Sequence, residues 1–284
     1  MSRPEERHIE ACGLSLAGRY WPGKGLPVLA LHGWLDNANS FAPLAEYLDN
    51  PLFALDFPGH GHSQHRPPGT ALHFVDYVRD VVAVLDALGW RQCLLLGHSM
   101  GAGVASLVAG TFPERLRGLA LIEGLGPLSG EAGEAPGQLR KAVDAMLRPA
   151  GNKRCYPSRE EAIVARTGGF GGLGRDAAAL LCQRGLEEVP GGWQWRADSR
   201  LRLPSSLRLS EEQVRAFLRA IPAPVWLLCG QQGMGGNGGF DARVREVPEI
   251  EVIHQPGTHH LHMEKPAETA AALRGFIARI ADGA

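Results

Sequence analysis

A serine lies between two glycines in the run Gly97-His98-Ser99-Met100-Gly101. A serine hydroxyl becomes a useful nucleophile only when a neighbouring base takes its proton. The Gly-x-Ser-x-Gly pattern exposes such a hydroxyl when a strand precedes it and a helix follows it. Here the apolar run Gln92–Leu96 precedes the serine, and a run of small residues follows it. We therefore predict that Ser99 is the nucleophile of a hydrolase.

The base is expected among the eleven histidines of the chain. Three of them, His259, His260 and His262, follow the last predicted strand. A loop in this place lies at the carboxyl edge of the sheet, where open α/β sheets place their sites. The chain order serine, acid, histidine is also satisfied. His259 comes first after the glycine turn and is the predicted base, and the other two are interpreted as supporting or structural residues.

The acid is harder to assign, because the position that often carries it holds Gly233. That position follows the next-to-last predicted strand. Two carboxylates remain, Glu123 at the end of the strand after the nucleophile helix and Asp241 beyond a glycine-rich loop. The apolar run before Glu123 predicts burial, and a buried carboxylate needs a partner. Glu123 is the favoured acid, and Asp241 stays open as the alternative.

An oxyanion hole needs two backbone N–H donors. Met100 stands at the predicted helix start and supplies one of them. The second is expected in the loop His32-Gly33-Trp34-Leu35-Asp36-Asn37, and the amide of Trp34 is the predicted donor. The Trp34 side chain is then expected to line the pocket.

Short apolar runs that alternate with helical patterns must position these residues, which predicts an α/β protein with a parallel sheet. The predicted strands are Pro27–Leu31, Leu52–Leu55, Gln92–Leu96, Leu119–Ile122, Val225–Cys229 and Ile250–Ile253. This alternation of apolar runs and helical patterns stops in a long stretch of the chain that is rich in Gly, Pro and Arg. Residues 125–221 are therefore predicted to be an inserted cap, or lid, on a core formed by residues 1–124 and 222–284.

The composition of the chain favours a folded globular protein and argues against several classes of partner and cofactor. The 284 residues are 44% hydrophobic and carry a net charge of −1, so a packed core is expected and a nucleic-acid partner is not. No clustered metal ligands and no dinucleotide-binding context are found, so neither metal nor cofactor is expected. The charged N-terminus and five scattered cysteines predict a cytoplasmic protein, and membrane contact is not expected. Oligomeric state is left open.

Four segments of the chain resemble the serine hydrolase-like branch of the α/β-hydrolase superfamily, which is similar to haloalkane dehalogenases and epoxide hydrolases. They are the Trp34 loop, Asp56-Phe57-Pro58-Gly59-His60-Gly61-His62-Ser63, the Ser99 run and His259-His260-Leu261-His262-Met263-Glu264-Lys265-Pro266. The resemblance implies an eight-stranded, mostly parallel sheet with flanking helices and a helical cap. It also implies the roles given above to Ser99, His259, Trp34 and Met100, and some dehalogenases place a glutamate acid where Glu123 stands. Asp56 is interpreted as structural.

Dehalogenases and epoxide hydrolases use an aspartate nucleophile, whereas this chain has Ser99. Acyl chemistry is therefore the consistent interpretation, and hydrolysis of a small-molecule carboxylic ester through an acyl-enzyme is the leading hypothesis. Acyl transfer, thioester cleavage or C–C hydrolysis by the same residues is the alternative. A further alternative is a ligand-binding or interaction protein that keeps the fold without turnover.

Overall fold

An eight-stranded sheet forms the centre of the protein in the computed structural model, which describes residues 3–148, 151, 153–169 and 171–282. Its strand order is β1-β2-β4-β3-β5-β6-β9-β10. The strands are β1 (Glu5–Ala11), β2 (Leu14–Trp21), β3 (Val28–Leu31), β4 (Leu52–Leu55), β5 (Cys93–His98), β6 (Leu116–Ile122), β9 (Val225–Gly230) and β10 (Ile250–Gln255). Strands β4, β3, β5, β6, β9 and β10 run parallel, and β1 and β2 pair antiparallel at one edge. The predicted α/β-hydrolase architecture is confirmed.

The central strands are apolar along their whole length because helices cover both faces of the sheet. Every residue of β3, β4 and β5 is buried. Two apolar clusters, one on each face, form the core; Val81 and Val108 belong to one, and Phe276 and Ile280 to the other. This rigid sheet fixes the strand ends that carry the candidate site.

Ten helices accompany the strands in the described residues, several of them a single turn. They are α1 (Ala42–Ala45), α2 (Asp76–Ala87), α3 (Met100–Thr111), α4 (Ala135–Met146), α5 (Arg159–Thr167), α6 (Arg175–Gly185), α7 (Glu211–Arg219), α8 (Asp241–Val244), α9 (Leu261–Glu264) and α10 (Pro266–Asp282). Helix α3 consists of small apolar residues, so it packs closely on the sheet and nine of its twelve residues are buried. Among the described residues, no helix has both the length and the apolar character needed to cross a bilayer.

The segment of residues 125–221, which lies between β6 and β9, contains α4 to α7 and a separate hairpin of β7 (Leu186–Val189) and β8 (Gly192–Trp195). We call it the inserted segment. Its helices begin where helical starts are expected: Ser158 caps α5, and Ser210 forms a reciprocal capping box with Gln213 on α7. Its described elements lie outside the eight-stranded sheet.

Buried polar contacts fasten the inserted segment to the core. Arg184 on α6 forms an ion pair with Asp56 at 2.7 Å and with Glu6 at 2.6 Å. Arg166 on α5 forms an ion pair with Asp36, in the loop after β3, at 2.5 Å. Since these arginines are largely buried, the contacts fix where the inserted segment sits relative to the strand ends.

Candidate active site

Ser99 lies at the junction between β5 and α3, as the sequence predicts. Its backbone has φ 51° and ψ −112°, a conformation that non-glycine residues rarely adopt. The flanking glycines explain how so tight a turn packs: a Cβ on Gly101 would lie 2.0 Å from the carbonyl oxygen of Leu31, and one on Gly97 would lie 2.6 Å from Cα of Ala102. Strain of this kind costs about 1–3 kcal/mol and is typical of functional residues.

Glu123 follows β6 directly, and its side chain is fully buried. Its backbone also has positive φ, 54°, and its N–H donates to the carbonyl of Leu228 at 2.9 Å. The carboxylate accepts two backbone hydrogen bonds, from the N–H of Gly230 at 2.6 Å and from the N–H of Met234. These donors fix both oxygens and satisfy a charge that burial would otherwise penalise.

His259 lies in the loop after β10, and its Nδ1 is 3.2 Å from Oε2 of Glu123. Both side chains are almost completely buried. Because the carboxylate can only accept, Nδ1 carries the hydrogen, and Nε2 is the nitrogen able to take a proton. The structure thus brings the predicted acid Glu123 and the predicted base His259 into contact, and the strand ends of β5, β6 and β10 place Ser99 at the same edge of the sheet.

The other two histidines of this loop have different contacts. His260 Nδ1 is 3.2 Å from the carbonyl of Gly172, and His262 Nε2 is 2.7 Å from Oγ of Ser40. The carbonyl oxygen of His259 accepts a hydrogen bond from Nε2 of His98 at 2.8 Å. The imidazoles around His259 therefore support its loop.

The structure shows why position 233, which often carries the acid, holds a glycine in this chain. A Cβ on Gly233 would lie 2.2 Å from Oε2 of Glu123, so the Glu123 carboxylate already fills the space that a side chain at 233 would need. Asp241, the alternative acid, begins α8 and is exposed to solvent. An exposed carboxylate is less suited to orienting a buried imidazole, because water screens its charge.

The predicted oxyanion donors lie in two segments that pack against each other. Met100 is the first residue of α3, where N–H groups have no acceptor within the helix. Trp34 lies in the loop after β3, and Leu35 beside it has φ 62°. The close approach of Gly101 to Leu31 brings this loop against the helix start. The Trp34 side chain is partly exposed and donates from Nε1 to the carbonyl of Leu201 in the inserted segment at 3.0 Å.

Asp56 has structural contacts, in agreement with its interpretation from the sequence. It is fully buried and accepts from the backbone N–H groups of Ala38 and His62, each at 2.7 Å. Arg184 completes its set of partners at 2.7 Å. Asp56 therefore ties the loop after β4 to the loop after β3 and to the inserted segment.

The amino-acid sequence showed no sign of a buried polar cluster that lies beside Ser99 and His259. Asp36, His98 and His260 are buried, and one ligand atom from each lies within 4.8 Å of the other two. Arg166 pairs with the same aspartate. These residues are far apart in the chain, so no local spacing pattern could have indicated the cluster.

Comparison with known proteins supports the fold and the branch. A family model described as the alpha/beta hydrolase fold matches residues 27–148. A serine hydrolase-like protein from Danio rerio is 30% identical over 92% of this chain and 85% of its own. The crystal structure of a hypothetical protein from Pseudomonas aeruginosa PAO1 is 46% identical, covers 96% of this chain and 99% of its own, and has a TM-score of 0.91.

A thioesterase domain from the curacin biosynthetic pathway is 23% identical, with a TM-score of 0.87 over 96% of this chain and all of its own. At that identity the likeness shows the fold alone. The serine hydrolase-like relative, together with the family model, places the chain among hydrolases. The protein belongs to the α/β-hydrolase superfamily, in its serine hydrolase-like branch.

Proposed function

We propose that this hydrolase cleaves carboxylic esters of small molecules through an acyl-enzyme formed on Ser99. The observation that carries the proposal is the strained backbone of Ser99 between β5 and α3. A serine held in this conformation presents its hydroxyl at the carboxyl edge of the sheet. The buried pair of Glu123 and His259 at the same edge supports it.

In the first half of the reaction, His259 Nε2 takes the hydroxyl proton of Ser99 as Oγ bonds to the acyl carbon. Glu123 holds the imidazole in the required tautomer and stabilises its cation. The alkoxide leaves as the ester C–O bond breaks, and it takes the proton from His259. The alcohol departs, and the acyl group remains on Oγ.

In the second half, a water molecule attacks the acyl carbon and gives its proton to His259. The bond to Ser99 Oγ then breaks, the proton returns to Oγ, and a carboxylic acid is released. In both halves, the amides of Trp34 and Met100 are proposed to hold the negative charge of the tetrahedral intermediate, where each such donor is worth roughly 10²-fold or more in kcat.

The inserted segment, residues 125–221, is proposed to act as the cap over this site. Its attachment through Arg166 and Arg184 supports that role, since both arginines pair with loops at the strand ends. Its pocket-facing side chains would select the acyl and alcohol groups. The cytoplasmic location stays a prediction from the sequence.

The test is a series of p-nitrophenyl esters of increasing acyl length, measured with the wild type and with Ser99→Ala. We expect the wild type to hydrolyse at least one chain length and Ser99→Ala to lose on the order of 10⁴-fold or more in kcat/KM. Labelling with a fluorophosphonate, read by mass spectrometry, should modify Ser99.

Three outcomes would contradict the proposal. Near-full esterase activity in Ser99→Ala would exclude Ser99 as the nucleophile. Faster turnover of a matched thioester, or transfer of the acyl group to an added alcohol in preference to water, would favour thioesterase or acyltransferase activity. Absence of both labelling and turnover in folded protein would favour a binding protein.

A further inference from the structure

A buried polar cluster lies beside the proposed catalytic residues and takes no direct part in the proposed reaction. Asp36 comes from the loop after β3, His98 ends β5, and His260 lies in the loop after β10. Oδ2 of Asp36 is 3.6 Å from Nε2 of His260 and 3.8 Å from Nδ1 of His98. None of the three residues is more than 3% exposed.

Hydrogen bonds on the far side of each imidazole determine which nitrogen faces the cluster with a lone pair. Nε2 of His98 lies 2.8 Å from the carbonyl oxygen of His259, and Nδ1 of His260 lies 3.2 Å from that of Gly172. A carbonyl oxygen only accepts, so both of these nitrogens carry hydrogen. In the neutral rings, Nδ1 of His98 and Nε2 of His260 therefore carry the lone pairs, and both atoms face Asp36.

One of these lone pairs is left without a hydrogen-bond partner in the described part of the chain. Among the residues that the structure describes, Nδ1 of His98 has no hydrogen-bond partner. A buried polar atom in this situation calls for an explanation.

The space between these atoms is kept open by a glycine. A Cβ on Gly33 would lie 3.0 Å from Oδ2 of Asp36 and 3.0 Å from Nδ1 of His98. The separations of 3.6 and 3.8 Å are too long for direct hydrogen bonds. They exceed by only a few tenths of an ångström the roughly 3.4 Å between ligands of a tetrahedral zinc ion.

We propose that Asp36, His98 and His260 form a site for a divalent cation of the zinc class. Two imidazole nitrogens and one carboxylate oxygen are ligands that such cations prefer. Each histidine already donates its other ring N–H to a backbone carbonyl, which is the usual support of a metal-bound imidazole. Arg166 holds the other oxygen of Asp36 at 2.5 Å and so orients the carboxylate.

The position of the site defines its role. His98 directly precedes Ser99, His260 directly follows His259, and Asp36 lies two residues after Trp34. A bound cation would therefore tie together the three segments that carry the nucleophile, the base and an oxyanion donor. Because the Arg166 guanidinium offsets the charge of Asp36, we expect weaker affinity than at a site with charged thiolate ligands.

The test measures metal binding directly, so its result does not depend on any esterase activity. Full-length protein is freed of metal with a chelating resin and titrated with Co²⁺, whose visible absorption reports its ligands, and then with Zn²⁺ by calorimetry. His98→Gln keeps a donor for the His259 carbonyl, and His260→Asn keeps one for the Gly172 carbonyl. Each variant removes one ligand nitrogen. The exposed His254 provides the control His254→Gln.

We expect one Co²⁺ per chain in the wild type, displaced by Zn²⁺, and at least about 10²-fold weaker binding in each ligand variant. His254→Gln and Ser99→Ala should bind as the wild type does. Absence of stoichiometric binding would overturn the proposal, as would unchanged affinity in both ligand variants or loss of binding in Ser99→Ala. If a ligand variant does not fold, X-ray absorption of the wild-type cobalt complex decides: two imidazoles and a carboxylate support the site, and any other protein ligand set refutes it.

Discussion

Moving the proposed acid from position 123 to position 233 tests the geometry of the site most directly. Glu123 occupies the space in front of Gly233, where a Cβ would lie 2.2 Å from its Oε2. The two positions can therefore hold only one carboxylate between them. Glu123→Gly removes the acid and also relieves a positive φ of 54°. Gly233→Asp then offers a carboxylate from the other side of the same space.

The expected magnitudes follow from these contacts. Glu123→Gly should lower kcat/KM about 10⁴-fold, the loss seen when the acid of a serine triad is disabled. That loss corresponds to roughly 5.5 kcal/mol of transition-state stabilisation. Gly233→Asp alone should be inactive and less stable, since its Cβ overlaps the Glu123 carboxylate and adds a second buried charge.

The double variant should recover activity. An aspartate oxygen reaches about 2.4 Å from its Cβ by standard covalent geometry, so Asp at 233 can approach the place that Oε2 of Glu123 leaves. We expect kcat/KM of the double variant to be about 10²-fold above that of Glu123→Gly, and a recovery of at least tenfold is the minimum that supports the reasoning. Initial rates on the best p-nitrophenyl ester and thermal melting curves of all four proteins provide the measurement.

Two results would refute the reasoning. Wild-type activity in Gly233→Asp would mean that the two positions do not share one space. High activity in Glu123→Gly together with a severe loss in Asp241→Ala would transfer the role of acid to Asp241. Asp241→Ala is otherwise the matched control and should remain close to the wild type.

The remaining predictions concern stability. Arg184→Met should lower the free energy of unfolding by about 3 kcal/mol in urea titrations, because the buried Asp56 carboxylate loses its cation; a loss below about 1 kcal/mol would contradict this. Burial lowers the pKa of His60 to about 3, so the unfolded chain takes up a proton that the folded one does not as the pH falls from 6.5 towards 3. The free energy of unfolding should therefore decrease as the pH falls through that range. His60→Gln should reduce this dependence by up to about 1.4 kcal/mol per pH unit, and the same pH dependence in wild type and variant would exclude the buried neutral imidazole. Gly101→Ala should destabilise by about 3 kcal/mol or more, since its Cβ would lie 2.0 Å from a carbonyl oxygen, whereas the exposed helical Gly137→Ala has open space and should gain up to about 1 kcal/mol; equal melting temperatures in the two variants would argue against the close packing.

The central strands were predictable because burial on both faces leaves a continuous apolar run. The predicted Leu52–Leu55 coincides with β4, and the predicted Leu119–Ile122 lies within β6. The edge strand β1 was missed because it begins with four charged or imidazole side chains, residues 5–8, which are typical of a solvated N-terminus. The hairpin of β7 and β8 was missed because its short strands mix polar and apolar residues and form no continuous apolar run.

In the candidate site, the local pattern around Ser99 predicted its place between a strand and a helix, and the lack of a carboxylate at position 233 led to Glu123, which lies against His259 in the structure. Gly233 is informative because the fold leaves room there for one carboxylate, which Glu123 fills from the neighbouring strand end. His259 was chosen because it comes first after the glycine turn, and its contact with Glu123 distinguishes it from His260 and His262 in the structure.

The contacts that hold the site in place depend on long-range packing, which no short motif encodes. Arg166 meets Asp36 only after α5 has packed against the loop that follows β3. His98 reaches the carbonyl of His259 only because β5 and the loop after β10 end at the same edge of the sheet. A motif therefore indicates the residues proposed to react, whereas the charged and imidazole groups around them are brought there by the fold. For the same reason, variants of Arg166 and His98 should separate positioning from chemistry more clearly than variants of Ser99 can.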